Sequence, residues 1–203
     1  MTTEMKDIHM VSLKAQSSKI LLTVGAALMV AGLPARSFAQ VNGAIYTTSV
    51  DAKIVNQNIY ESREAVYLSG GPQTKADRGL APDGHYYFQV TDPSGAVLLS
   101  TDRIECREVI VADGRITGVA ASGCQHALGV ANADNGQMPV QLFPFLETPN
   151  PGGEYKAWLT PVASYSPNES APNCSGKNSN IRFGFCDADS KTDNFKIRSL
   201  NAA

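Results

Sequence analysis

The sequence is short of charge. Charged residues make up 18% of its 203 positions, below the usual ~25%. The 17 Lys and Arg are outnumbered by 19 Asp and Glu. Without a basic excess, the electrostatic footprint of a nucleic-acid binder is missing. No C-x-x-C pair occurs and there are only three His, so the common zinc spacings are excluded. There is no G-x-x-x-x-G-K-S/T, no G-x-G-x-x-G and no G-x-S-x-G. Phosphate cradles, dinucleotide turns and nucleophile elbows of those types are therefore excluded. What the chain does have is 43% hydrophobic residues, 17 Gly and 11 Pro. That is enough apolar matter for one core and argues against disorder throughout.

The first forty residues read as an address. Residues 1–19 are polar and carry Lys6, Lys14 and Lys19; residues 20–33 hold no charge; Pro34 ends the run. Ser37, Phe38 and Ala39 then place small residues three and one before a cut, the three-part pattern of a secretory signal. Fourteen residues fall short of the ~20 that span a bilayer. The expected division is a signal peptide over 1–39 and one domain over 40–203. Removing the leader leaves a net charge of −4, compatible with an exported chain that has no further membrane span.

All four cysteines follow the leader: Cys106, Cys124, Cys174 and Cys186. An even count in an exported chain points to disulfides. Local geometry favours Cys106 with Cys124 and Cys174 with Cys186. Asp113-Gly114 is a two-residue hairpin signal; folding about it sets Cys106 opposite Ala121, and a bend at Ser122-Gly123 closes the gap. Cys174 and Cys186 bracket a Ser-, Asn- and Gly-rich stretch. It belongs to a long loop near 164–186.

Beyond residue 39 alternation replaces helical periodicity. Strands are expected over 43–49, 58–68, 84–91, 96–100, 103–111, 115–120, 138–146, 154–162 and 195–199. In 84–91, Tyr86, Phe88 and Val90 share one face, suited to a core; His85, Tyr87, Gln89 and Thr91 share the other. Gly70-Gly71-Pro72, Pro82-Asp83-Gly84 and Asp92-Pro93-Ser94-Gly95 punctuate the strands. About eight short strands without helical crossovers give an all-β, antiparallel β-sandwich, with a barrel as second choice. Pro139 and Pro144 make 138–146 an edge or a bend.

Chemistry is sparse. The histidines of the domain, His85 and His126, read as exposed or structural. Glu105 and Glu108 could be drawn as paired carboxylates, as in any strand-rich protein. Asp187, Asp189 and Asp193 resemble the start of a calcium loop, but Lys191, Thr192 and Arg198 stand where an EF-hand needs a ligand, a glycine and a bidentate Glu. They remain weak calcium candidates. Tyr87 and Trp158 are the candidate ligand-facing aromatics, and packing is the commoner fate of a lone Trp. Asn168-Glu169-Ser170 and Asn173-Cys174-Ser175 match the glycan acceptor pattern. No cofactor is expected.

The runs APDGHYYFQVTDPSGAVLLSTD, NPGGEYKAWLTPV and SKTDNFKIRS resemble a β-sandwich module of uncharacterised bacterial secreted and surface proteins, of the kind found N-terminal to collagen-adhesin B-type repeats. The resemblance spans roughly residues 43–199. It implies an extracellular sandwich, immunoglobulin-like or prealbumin-like, and no catalytic residues. The expectation is an exported, non-catalytic module for cell-surface structure, adhesion or protein binding. Contact would use loops or the exposed edge at 138–146. The alternatives are a domain binding carbohydrate or a small ligand, and a secreted hydrolase. The expected partner is a protein or glycan at the cell surface, not nucleic acid.

Overall fold

A computed structural model of the chain describes residues 40–73, 78–120, 123–124, 126–168, 174–175 and 180–198. The expected signal segment, and part of each glycan acceptor motif, lie outside the described residues. Eleven strands occur among them: β1 (Ile45–Thr48), β2 (Ile59–Tyr60), β3 (Tyr67–Gly70), β4 (Gly84–Thr91), β5 (Glu108–Ala112), β6 (Arg115–Val119), β7 (Val140–Gln141), β8 (Glu154–Pro161), β9 (Ile181–Arg182), β10 (Phe185–Cys186) and β11 (Lys191–Ile197). Of the nine expected ranges, 96–100 forms only isolated bridges at Leu98 and Ser100, and two local causes raise the count. The single strand expected over 58–68 is broken by a 3-10 turn at Arg63–Ala65. The long loop contributes the small pair β9 and β10.

The strands form a narrow sheet in the order β1-β3-β7 and a wide one in the order β2-β11-β8-β4-β5-β6. All pairings are antiparallel except β2 with β11. The fold is thus an all-β sandwich. Ile45, Leu68 and Val140 of the narrow sheet share one core with Phe88, Val90, Leu159 and Phe195 of the wide sheet. Tyr155 stacks on Phe195 at 5.1 Å, and Phe145 meets both edge-on at 5.4 and 6.0 Å. Edge-to-face and offset rings of this kind add to what burial alone contributes.

Asp113 and Gly114 form the two-residue turn between β5 and β6, with Ala112 opposite Arg115. Both have positive φ, +49° and +73°, as a type I′ turn requires. The Asp83 carboxylate accepts both of their N–H groups at 2.9 Å. One register shift lies between Ile110 and Val111, earlier than the bend expected at Ser122-Gly123. Gly123 does have φ +87°. Ser122 is outside the described residues.

The second face of β4 departs from expectation. Gln89 and Thr91 are wholly buried, as is Trp158 on neighbouring β8 at 4% exposure. Tyr165 and the β9-β10 pair lie over this face as a flap. Tyr165 meets Tyr87 at 5.1 Å and Phe185 at 5.8 Å, and Gln89 donates from Nε2 to the Arg182 carbonyl at 2.9 Å. At Gln89, Thr91 and Trp158 the wide sheet is therefore covered on both sides, so period-2 alternation there separates apolar from polar packing rather than inside from outside. Cys174 and Cys186 are joined and hold the flap, while Cys106 and Cys124 are joined beside the 3-10 turn Ile104–Cys106. Both pairings are the ones expected.

The expected open edge at 138–146 is a correction. Pro139 and Pro144 reduce it to two residues of strand, β7. The outer side of β7 is taken by residues 127–129. Gly129 donates to the Pro139 carbonyl at 2.8 Å and Gln141 donates to the Ala127 carbonyl at 2.9 Å.

Candidate functional site

The sequence candidates are dispersed by the fold. Trp158 is not a surface platform. Its ring lies under the flap and its Nε1–H donates to Thr91 Oγ1 at 2.9 Å. Lys156 stands 5.5 Å over the ring and Gly95 packs against its edge. Tyr87 is half-buried against Tyr165. Burial raises the Tyr87 hydroxyl above its ordinary value, with Glu108 and Glu105 adding to it.

The three aspartates are not gathered, and no cluster of three metal-ligating side chains occurs among the described residues. Asp189 is wholly buried and accepts the N–H of Ser175 at 2.7 Å and its hydroxyl. Asp193 accepts the N–H and hydroxyl of Thr47 at 2.6 and 2.9 Å. Asp187 is exposed. Two of the three carboxylates thus accept hydrogen bonds from donors of the chain itself.

The histidines each meet a carboxylate. His85 is exposed and its Nδ1 lies 2.6 Å from Glu108 on β5. His126 is different. Its side chain is 2% exposed and makes contact on three sides. Nδ1 lies 2.8 Å from the Gln141 carbonyl of β7, Nε2 lies 2.8 Å from Asp102 Oδ2, and the Phe88 ring stands edge-on at 4.8 Å. Asp102 Oδ1 is 3.5 Å from Arg107 Nε, and Arg107 NH1 donates to the Phe88 carbonyl at 3.4 Å. Burial pulls the Arg107 guanidinium down, while Asp102 beside it pulls the other way. A guanidinium is basic enough to remain a cation here.

Sequence reasoning missed Asp102 as the shared partner of His126 and Arg107. The one signal was indirect: joining Cys106 to Cys124 draws the segments that carry Arg107 and His126 toward each other.

Two surface features complete the inventory. A cleft of about 490 Å³ lies between the 61–64 turn and the 147–153 loop. It is lined by Glu61, Arg63, Glu64, Glu147 and Arg198. Glu61 pairs with Arg198 at 3.3 Å, and Arg63 donates to the Phe145 carbonyl at 2.7 Å. Its cations are therefore engaged.

The second feature is apolar. Val50, Ile54, Leu128 and Val130 are 45, 54, 46 and 61% exposed. They lie on two abutting segments. Val130 donates to the Val50 carbonyl at 2.7 Å, Ser49 donates to the Ile54 carbonyl at 3.2 Å, and Asn132 Nδ2 reaches the Ala52 carbonyl at 3.2 Å. The alternation of Leu128 and Val130 about Gly129 was its only sequence signal. No helix among the described residues is long and apolar enough to cross a membrane. No protein-family profile matches the chain, and neither any curated protein nor any solved structure does.

Proposed function

We propose that this chain is an exported, non-catalytic module of the cell surface or its surroundings that binds another protein. One observation carries the reading: four large apolar side chains, Val50, Ile54, Leu128 and Val130, stand exposed on two hydrogen-bonded segments. Exposed apolar side chains gathered in one place mark interaction surfaces, whereas scattered ones do not. The patch sits on loops held by a cross-linked sandwich, the usual way a rigid scaffold presents a contact surface.

Export is supported by the two disulfides, which persist outside the reducing cytosol, and by the leader pattern over 1–39. The likeness of residues 43–199 to a module of bacterial surface proteins points the same way. The glycan alternative has lost Trp158, the larger of its two aromatic candidates.

Site-directed photo-crosslinking tests this. A crosslinker at Ile54 or Val130, presented to the exported and envelope proteins of the source cells, is expected to trap a discrete protein partner. The same probe at His85 is expected to trap none. Adducts that form equally at all three positions, or at none, overturn the reading.

A further inference from the structure

Every buried hydrogen bond needs a donor, and His126 faces two acceptors. The Gln141 oxygen at Nδ1 is a backbone carbonyl, and the Asp102 oxygen at Nε2 belongs to a carboxylate. A neutral imidazole carries one N–H and cannot serve both. The second proton could sit on the ring or on Asp102. Arg107, a cation 3.5 Å from Asp102 Oδ1, keeps the carboxylate ionised, so the ring carries it.

Both cations approach Asp102, and the charges of Tyr165 and Glu105 also act on Arg107. On the remaining sides His126 meets the Phe88 ring and the Gln141 backbone. The closer partner decides: 2.8 Å to His126 against 3.5 Å to Arg107. Hydrogen bonds with a charged partner are the stronger kind.

The position of His126 gives this proton a structural consequence. Residues 127–129 cover the outer edge of β7 through the Gly129–Pro139 and Gln141–Ala127 hydrogen bonds. The Cys106–Cys124 disulfide anchors the chain two residues upstream, and His126 ties the start of the cover to β7 through Gln141 and to Asp102.

We propose that protonated His126 is a latch that holds residues 127–129 over the β7 edge, and that loss of its proton to solvent loosens this cover. With one N–H gone, a lone pair faces either Asp102 or the Gln141 oxygen, and one buried acceptor is left unmet. The cover is tight on the acid side of the His126 titration and loose on the alkaline side. The segment that loosens bears Leu128 and adjoins Val130. That a partner senses the change rests on the function proposed above; the latch itself does not, and it is tested on the isolated protein.

Nitrogen-15 NMR of the histidine rings is run across pH 4–9 alongside amide hydrogen exchange, with protection corrected for the intrinsic pH dependence of exchange. Below its titration, His126 is expected to show an N–H on both nitrogens. Protection at Gly129 and Gln141 is expected to fall about tenfold as the ring loses a proton, the scale of one charge-assisted hydrogen bond, while Leu159 stays unchanged. In His126→Gln, protection at Gly129 and Gln141 is expected to be flat with pH. Should that variant not fold, the wild-type measurements decide alone. A ring that stays singly protonated throughout, or protection at Gly129 and Gln141 that ignores its titration, overturns the latch.

Discussion

Asp193 of β11 reaches across the sandwich to Thr47 of β1, where one carboxylate oxygen accepts both the backbone N–H at 2.6 Å and the hydroxyl at 2.9 Å. The two residues belong to different sheets, so the contact ties the narrow sheet to the wide one. The outward-facing N–H of an edge strand would otherwise need water. Replacing Asp193 with Ala removes an acceptor from two donors. It is expected to cost about 1–3 kcal/mol, read from urea midpoints, with Asp193→Asn recovering part. A midpoint unchanged by Asp193→Ala would show that the tie contributes nothing.

Two tyrosines make alkaline stability the informative limb. Burial pushes the hydroxyls of Tyr60 and Tyr86 up to about 12 from an ordinary 10.0, with Asp193 and Asp83 respectively adding to it. The native state holds these protons more tightly than the unfolded chain does. Their stabilising effect is complete below pH 10 and is lost as pH rises through 12. Absorbance at 295 nm should show at least two of the seven tyrosines ionising late or only on unfolding. Replacing both with Phe should flatten the fall in stability between those pH values.

At the acid end Asp92 behaves in the opposite sense. Partial burial pushes its carboxyl up, but hydrogen bonds from Ser94, Val97 and Ala96 outweigh this and hold it below the ordinary carboxylate range. Its contribution is present above the unfolded-state value and lost as pH falls through the folded one. Asp92→Asn should lower stability slightly at neutral pH and leave it unchanged in strong acid. Melting temperatures at both ends test this.

The flap over Trp158 is held by Cys174–Cys186. Replacing both cysteines with Ala should cost about 2–5 kcal/mol and shift Trp158 emission to the red, because the ring loses its cover. Replacing Cys106 and Cys124 removes a staple on a different segment and should leave the emission colour unchanged. A red shift from the second pair, or none from the first, would contradict this assignment of the flap.

Gly114 sits at φ +73°, and a Cβ built on it would lie 2.9 Å from the backbone of Gly79. Gly114→Ala combines backbone strain with a close approach and should cost about 1–3 kcal/mol. Chemical denaturation tests this against Gly118→Ala, a position where a Cβ would meet nothing within 4 Å.

Much of this fold could be read from residue order, because turns and alternation are local. Strand β4 runs over the expected residues, the Asp113-Gly114 turn closes where its chemistry demands, and both disulfides join nearby cysteines. What escaped was non-local. Gln89 and Thr91 look like a wet face until a loop some 90 residues on lies over them. Residues 127–129 look like a linker until they are found along β7. Asp102 has no pattern of its own and becomes the shared partner of His126 and Arg107 only in the fold that joins Cys106 to Cys124. The apolar patch is likewise made by two segments remote in sequence.

The bond between Cys174 and Cys186 also changes what cleavage can do. Phe183, at the tip of the turn between β9 and β10, is 38% exposed. A protease that nicks the chain there leaves two pieces still joined by sulfur, and β11 keeps its place in the wide sheet. Such a nick would be invisible on a non-reducing gel and would appear as two bands only after thiol treatment, so the molecule could be processed at its surface without being dismantled.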